Sequence, residues 1–219
     1  MTGKIKLNAG SGGGSVSFQA PSQTGDDRII TLPTTADGTV LTTTNPKSGN
    51  IIQVVQTHVS TSSSITIGAT GTYYDTPASI TVTSTAANSK FKISGQVSCE
   101  INGSDHDFGI SMRRVIGGTT SLINIGTGGG GSQHHITRTL SVGIGGSFDN
   151  DSTTSSTVLS PFLDSPSQAS GTAITYKFSI LALGGSPSWT AYFNRVVSEA
   201  NDSGDERTVS YILVEEVAA

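Results

Sequence analysis

Alternation of apolar and polar positions dominates this chain, and its character changes near residue 46. Before that point the alternating runs are short: "KIKLN" (4–8), "SVSFQ" (15–19), "RIITL" (28–32) and "TVLTT" (39–43). Ile5 and Leu7 are the only large apolar side chains in the first run, Val16 and Phe18 in the second. Gly, Pro and Asp clusters separate the runs, and Asp37-Gly38 is a favoured hairpin-turn pair. At about 25 cal/mol per Å2, so little apolar area does not offset roughly 1–2 kcal/mol of backbone entropy per residue. Residues 1–46 are therefore expected to need partner chains or a docking surface in order to fold.

After the linker-like "TNPKSGN" (44–50) the strands lengthen. In "KFKISGQVSCEI" (90–101), Phe91, Ile93, Val97, Cys99 and Ile101 fall on one face with Gly95 in phase, and polar residues fall on the other. "TAITYKFSILAL" (172–183) repeats the pattern through Ile174, Tyr176, Phe178 and Ile180. Period-2 alternation of this length predicts half-buried antiparallel strands. Further strands are expected at "IIQVVQTHV", "SSITIG", "ASITVTS", "DFGISMRRVIG", "TSLINIG", "HHITRTLSVGI", "SWTAYFN" and "RTVSYILVEEV", with "TGTYYDTP" as a turn. Roughly eight to ten strands after residue 50, with almost no helical period, predict an all-β, jelly-roll-like antiparallel β-sandwich. The organisation expected is an N-terminal extended β segment, 1–46, followed by a sandwich domain, 47–219; the resemblance described below implies that the first is an attachment or stem segment and the second a head.

Composition narrows the function classes. Charged residues make up only 13% of the chain and the formal net charge is -4, so there is no basic stripe for nucleic acid. No segment approaches the apolar length of a membrane span, and no N-terminal stretch reads as a secretion signal. The expectation is synthesis and folding in a cytoplasm, without membrane insertion. With one cysteine, Cys99, no intrachain disulfide forms, and its place on an apolar face makes it a small core residue.

Candidate chemistry is sparse. "GTGGGGSQ" (126–133) is Gly-rich but lacks the Lys and the following helix of a P-loop, so it reads as a hairpin loop. Asp105 and Asp107 flank His106, and on a strand they would share a face toward a cation; a solvated turn is the simpler reading. Gln133, His134 and His135 follow the glycine loop, and on a threefold axis a His would meet its copies around a metal; surface histidines are the alternative. No CxxC, HExxH or EF-hand spacing occurs, and no nucleophile elbow supports a triad. A glycosidase needs paired carboxylates in a cleft, usually with aromatic platforms, whereas the acids here are scattered and Trp189 is the only tryptophan. No catalytic residue, cofactor site or metal site is assigned, and no enzyme is expected. The sequons at 102–104, 150–152 and 201–203 read as chance matches in a Ser/Asn-rich chain.

Two stretches carry a family resemblance. The opening segment, with Thr31-Leu32-Pro33 and Asp37-Gly38-Thr39-Val40-Leu41, resembles the N-terminal segment of tailed-phage fibre and virion structural proteins. The stretch from "IIQVVQTHVST" through "PFLDSPSQASGTAITYKFSILAL" to "RTVSYILVEEV" resembles the β-sandwich heads of marine-phage fibres, with Asp164-Ser165-Pro166 preceding Tyr176 on a core strand. The resemblance implies a homotrimeric virion protein, a tail fibre or spike subunit. Its N-terminal segment would bind other virion proteins, and its head a host surface glycan or protein. The loops 101–107, 126–132 and 145–156 are the candidate receptor surface, because sandwich loops vary without disturbing the core. The alternative is a capsid-attached head fibre or decoration protein with a mainly structural role.

Overall fold

The computed structural model describes residues 4–8, 10–13, 15–19, 46–102, 108–127, 133–140, 154–184, 188–198 and 205–219. Two compact units divide at Val40 and Leu41. In the first, β1 (Lys4–Asn8) and β2 (Ser15–Gln19) form an antiparallel ribbon in which Ile5 faces Phe18 and Leu7 faces Val16. The runs expected at 28–32 and 39–43 lie outside the described residues.

The second unit is all-β. Its strands are β3 (Ile51–Val59), β4 (Ser63–Ile67), β5 (Tyr74–Thr83), β6 (Lys90–Ile101), β7 (Phe108–Ile116), β8 (Thr119–Ile123), β9 (Arg138–Thr139), β10 (Ser155–Asp164), β11 (Ala173–Ala182), β12 (Trp189–Phe193) and β13 (Ser210–Val217). One sheet runs β3-β13-β6-β12-β4, with β10 on the other edge of β6. The second runs β5-β11-β7-β8, with β9 also on β7. The strand pairs within both sheets are antiparallel. Setting aside β4, β9 and β12, which extend the sheets at the ends of β6 and β7, the remaining strands follow the order β10-β6-β13-β3 against β5-β11-β7-β8. Counted one to eight along the chain, that is 6-3-8-1 against 2-7-4-5, the interleaving of a double-sheet jelly roll.

The core lies between the sheets. Phe91, Ile93, Val97 and Cys99 of β6 face Ile174, Tyr176, Phe178 and Ile180 of β11, all fully buried, with Ile101 nearly so. The two long alternations therefore point inward as their sequence requires. Gly95 is needed where it stands: a Cβ there would lie 2.4 Å from the Tyr211 carbonyl oxygen and 2.5 Å from Phe178 Cε2. The Phe178 ring fills the space that a side chain on β6 would occupy.

Several boundaries differ from the sequence reading. β5 begins at Tyr74 rather than after Pro77, and Thr76 is already buried, its hydroxyl donating to the Phe178 carbonyl at 3.0 Å. β10 extends through Ser155–Thr157, where a loop was expected; its register on β6 shifts between Leu159 and Phe162, which spoils the alternation. Only Arg138–Thr139 of the strand expected from His134 onward is a strand among the described residues. β13 starts at Ser210, because the preceding residues leave the ladder and Asn194 takes their place. Asn194 adopts a positive φ of 60°, tolerable for Asn. Its amide donates to the Val59 and Thr61 carbonyls, and its oxygen accepts from Ser210 Oγ at 2.7 Å.

Candidate functional site

Among the described residues, charged side chains occupy inward positions at three places, Arg114, Asp164 and Glu216, and each breaks an apolar phase. On β7, Arg114 follows Ile110 and Met112 on the core-facing side. Its Nη1 reaches both oxygens of Asp164 on β10, at 2.7 and 2.8 Å. Tyr176 on β11 donates its hydroxyl to Asp164 Oδ2 at 2.8 Å. One carboxylate thus ties β10 in the first sheet to β7 and β11 in the second. Burial, then the Asp164 charge and the hydrogen bond to it, drive the Tyr176 phenol far above its ordinary pKa. The phenol stays protonated and donates, which suits a structural clasp rather than proton transfer. Asp164 and Tyr176, singled out in the sequence reading, are joined directly by this hydrogen bond.

The third inward charge is Glu216, in phase with Ile212 and Val214 on β13 and fully buried. Its carboxylate accepts from Thr85 N at 2.9 and 3.1 Å, from Thr85 Oγ1 at 2.8 Å and from Ala86 N at 3.2 Å. A carboxylate fed by successive backbone N–H groups is well solvated by the protein itself. This arrangement fixes the 84–86 turn onto the end of β13.

A third cluster lies on the opposite face of the β5-β11-β7 sheet, with Asp75 open to solvent and Ser111 and Ser179 fully buried. Asp75 faces Ser179, and Ser179 faces Ser111, across three strands; Lys177 and Arg113 form the next row. Asp75 accepts from Lys177 Nζ at 2.6 Å, Ser179 Oγ at 2.8 Å and Arg113 Nη1 at 3.1 Å. Burial pushes the Asp75 carboxyl up, but the Lys177 and Ser179 hydrogen bonds and the two cationic charges prevail and hold it below its usual value. The Arg113 guanidinium also lies 5.2 Å over the Tyr73 ring. Tyr73 in turn donates to the His135 carbonyl at 3.2 Å, anchoring the 133–140 segment beside the cluster.

The other sequence candidates disperse. Asp105, His106 and Asp107 lie outside the described residues, as do most of the loops 101–107, 126–132 and 145–156. Gln133 and His134 are exposed. The His134 ring lies over Gly71, where a Cβ would come within 2.6 Å of its Cε1. His135 turns its Nδ1 to the Gly126 carbonyl at 2.7 Å. Among the described residues, no group of three or more His, Cys, Asp or Glu is placed to hold a metal. Cys99 is buried, and desolvation, with the Glu100 charge second, pushes its thiol up to about 12, so it does not act as a thiolate at neutral pH. Trp189 packs edge-on against Phe108, with ring centroids 5.3 Å apart. No helix among the described residues is long and apolar enough to cross a membrane.

No protein-family model and no curated protein matches the chain. Among solved structures it is similar to the infectious bursal disease virus VP2 subviral particle, at 15% identity and a TM-score of 0.38 over 94% of this chain and 47% of that one. The Gx strain of the same virus gives 15% and 0.37 over 94% and 46%, and particles derived from that virus give 13% and 0.34 over 94% and 46%. The chain spans a little under half the length of these neighbours. Likeness at this level assigns this chain neither an activity nor an assembly.

Proposed function

We propose that the protein is a virion structural subunit, a fibre or spike whose jelly-roll head is displayed as a trimer and attaches to the host surface. The observation that carries this reading is the contrast between the two units. The sandwich buries its own core, whereas the ribbon presents Ile5, Leu7 and Phe18 at 66%, 55% and 47% exposure. In the register of β1 and β2 these three side chains fall on one face. A two-stranded ribbon with an uncovered apolar face is marginal alone and suited to dock on another chain. Jelly rolls serve in capsid and lectin domains alike, an analogy of fold that fits a displayed binding head. Three weak sites on one head, repeated over a particle, give strong attachment without any single tight site. The described polar clusters serve as clasps or as surface, so binding rather than catalysis is the proposed role.

Sedimentation of the purified chain tests the assembly: a species of three times the 22.4 kDa chain mass is expected, and a monomer at all concentrations would reject it. Immunogold labelling of particles tests the address. Label at the tail tip supports a fibre, and label spread over the capsid would replace it with the decoration reading.

A further inference from the structure

We propose that the cluster of Tyr73, Asp75, Ser111, Arg113, Lys177 and Ser179 is a saccharide site that selects acidic sugars. This rests on the attachment reading and names a ligand class for it. The strand register places Asp75, Ser179 and Ser111 in one row across β5, β11 and β7, with Lys177 and Arg113 in the next. Three adjacent strands therefore hold the polar groups on one rigid face, which positions a ligand better than a mobile loop. The Asp75 side chain is 47% exposed and those of Arg113 and Lys177 18%, so these three are reachable from solvent, whereas Ser111 and Ser179 are fully buried.

Its hydrogen-bonding capacity is only partly used. Arg113 spends Nη1 on Asp75 and Ser179, and Lys177 turns one ammonium N–H to Asp75. A guanidinium carries five N–H donors and an ammonium three, so donors remain at the rim of the cluster. Two cations against one carboxylate leave a surplus positive charge, which favours a carboxylate or sulfate on the ligand. Asp75 supplies the complementary acceptor for a sugar hydroxyl. Ser111 adds an independent sign: its Oγ is buried without a hydrogen-bond partner, one strand from Ser179. An orphaned buried hydroxyl is unfavourable, and a water held beneath the ligand in this row would complete it.

The test is an NMR titration of the full chain with glucuronate, glucose and inorganic sulfate as separate probes. Saturable shifts with glucuronate, centred on residues 111–113 and 177–179 and weakened by added salt, are expected. Glucose should bind about tenfold more weakly for want of the charged contact. Arg113→Gln and Lys177→Gln should each weaken glucuronate by about tenfold with the fold retained in the spectrum. Using both variants guards against one of them disturbing the sheet. Sulfate binding as tightly as glucuronate would mean an adventitious ion only and overturn the proposal. So would equal binding of glucose, absence of saturation, or glucuronate affinity unchanged in both variants. Because the titration uses isolated sugars and the purified chain, its failure leaves the sedimentation and labelling tests of the attachment role standing.

Discussion

In β6, Phe91, Ile93, Val97 and Cys99 alternate with polar residues and all four are fully buried; in the β1–β2 ribbon, Ile5 and Leu7 alternate in the same way and remain 66% and 55% exposed. Local pattern does not separate the two. What differs is the number of partners. β6 has β10 along one edge, β13 and then β12 along the other, and β11 across the core. Among the described residues, the ribbon has one strand pair. Alternation thus specifies which face wants burial, and topology decides whether a covering layer exists within the same chain.

The sharpest way to break this comparison is to remove the layer over β6. Phe178 is fully buried and its ring rests on Gly95. Phe178→Ala leaves a cavity that the Gly95 backbone cannot fill, and destabilisation of about 3–5 kcal/mol is expected. Denaturant unfolding with the slope held constant measures it. A loss below about 1 kcal/mol would show that β11 is not the cover that distinguishes β6 from the ribbon.

A smaller effect is expected at the clasp between the sheets. Tyr176→Phe keeps the ring beside Phe91, 5.8 Å away between centroids, and removes only the donor to Asp164. Arg114 still satisfies the carboxylate. The expected loss is about 1.5–3 kcal/mol, the range for a hydrogen bond to a charged group. An unchanged unfolding midpoint would mean that apolar packing alone joins the sheets.

Much of the sandwich was legible because β6 and β11 obey one period for ten residues or more. β10 was not, since its inward positions are Thr157 and Leu159, then a register shift across Ser160-Pro161, then Asp164. Small polar and charged residues at inward positions make a core strand look like a loop. The start of β5 hid in the same way, behind Asp75, Thr76 and Pro77. The polar clusters were missed for a related reason, although a signal was present. Arg114 and Glu216 stand in phase with apolar neighbours, Met112 on one strand and Val214 on the other, and a charge at an inward position implies a buried partner. Which partner it has depends on pairings between strands distant in sequence. Asp75, Arg113 and Lys177 gave no such signal, because outward charges on a strand are ordinary. Their meeting is a product of the register alone.

The smallest effect is expected in the ribbon, where an absence of change is the informative result. Replacing Ile5, Leu7 and Phe18 together by Ser removes its exposed apolar face while preserving strand-compatible polar residues. Trp189 is the single tryptophan and packs on Phe108 inside the sandwich, so its fluorescence reports unfolding of that unit alone. The sandwich already buries its own core, so its midpoint should stay within about 0.5 kcal/mol of the parent, as for surface substitutions elsewhere. What should change is association: if the apolar face docks on another chain, the triple variant loses that docking while its head melts normally. A fall in the Trp189 midpoint approaching that of Phe178→Ala would mean that the ribbon covers part of the sandwich core. Ribbon and β6 would then differ in degree of cover, and the division of the chain into a self-sufficient head and a dependent arm would fail.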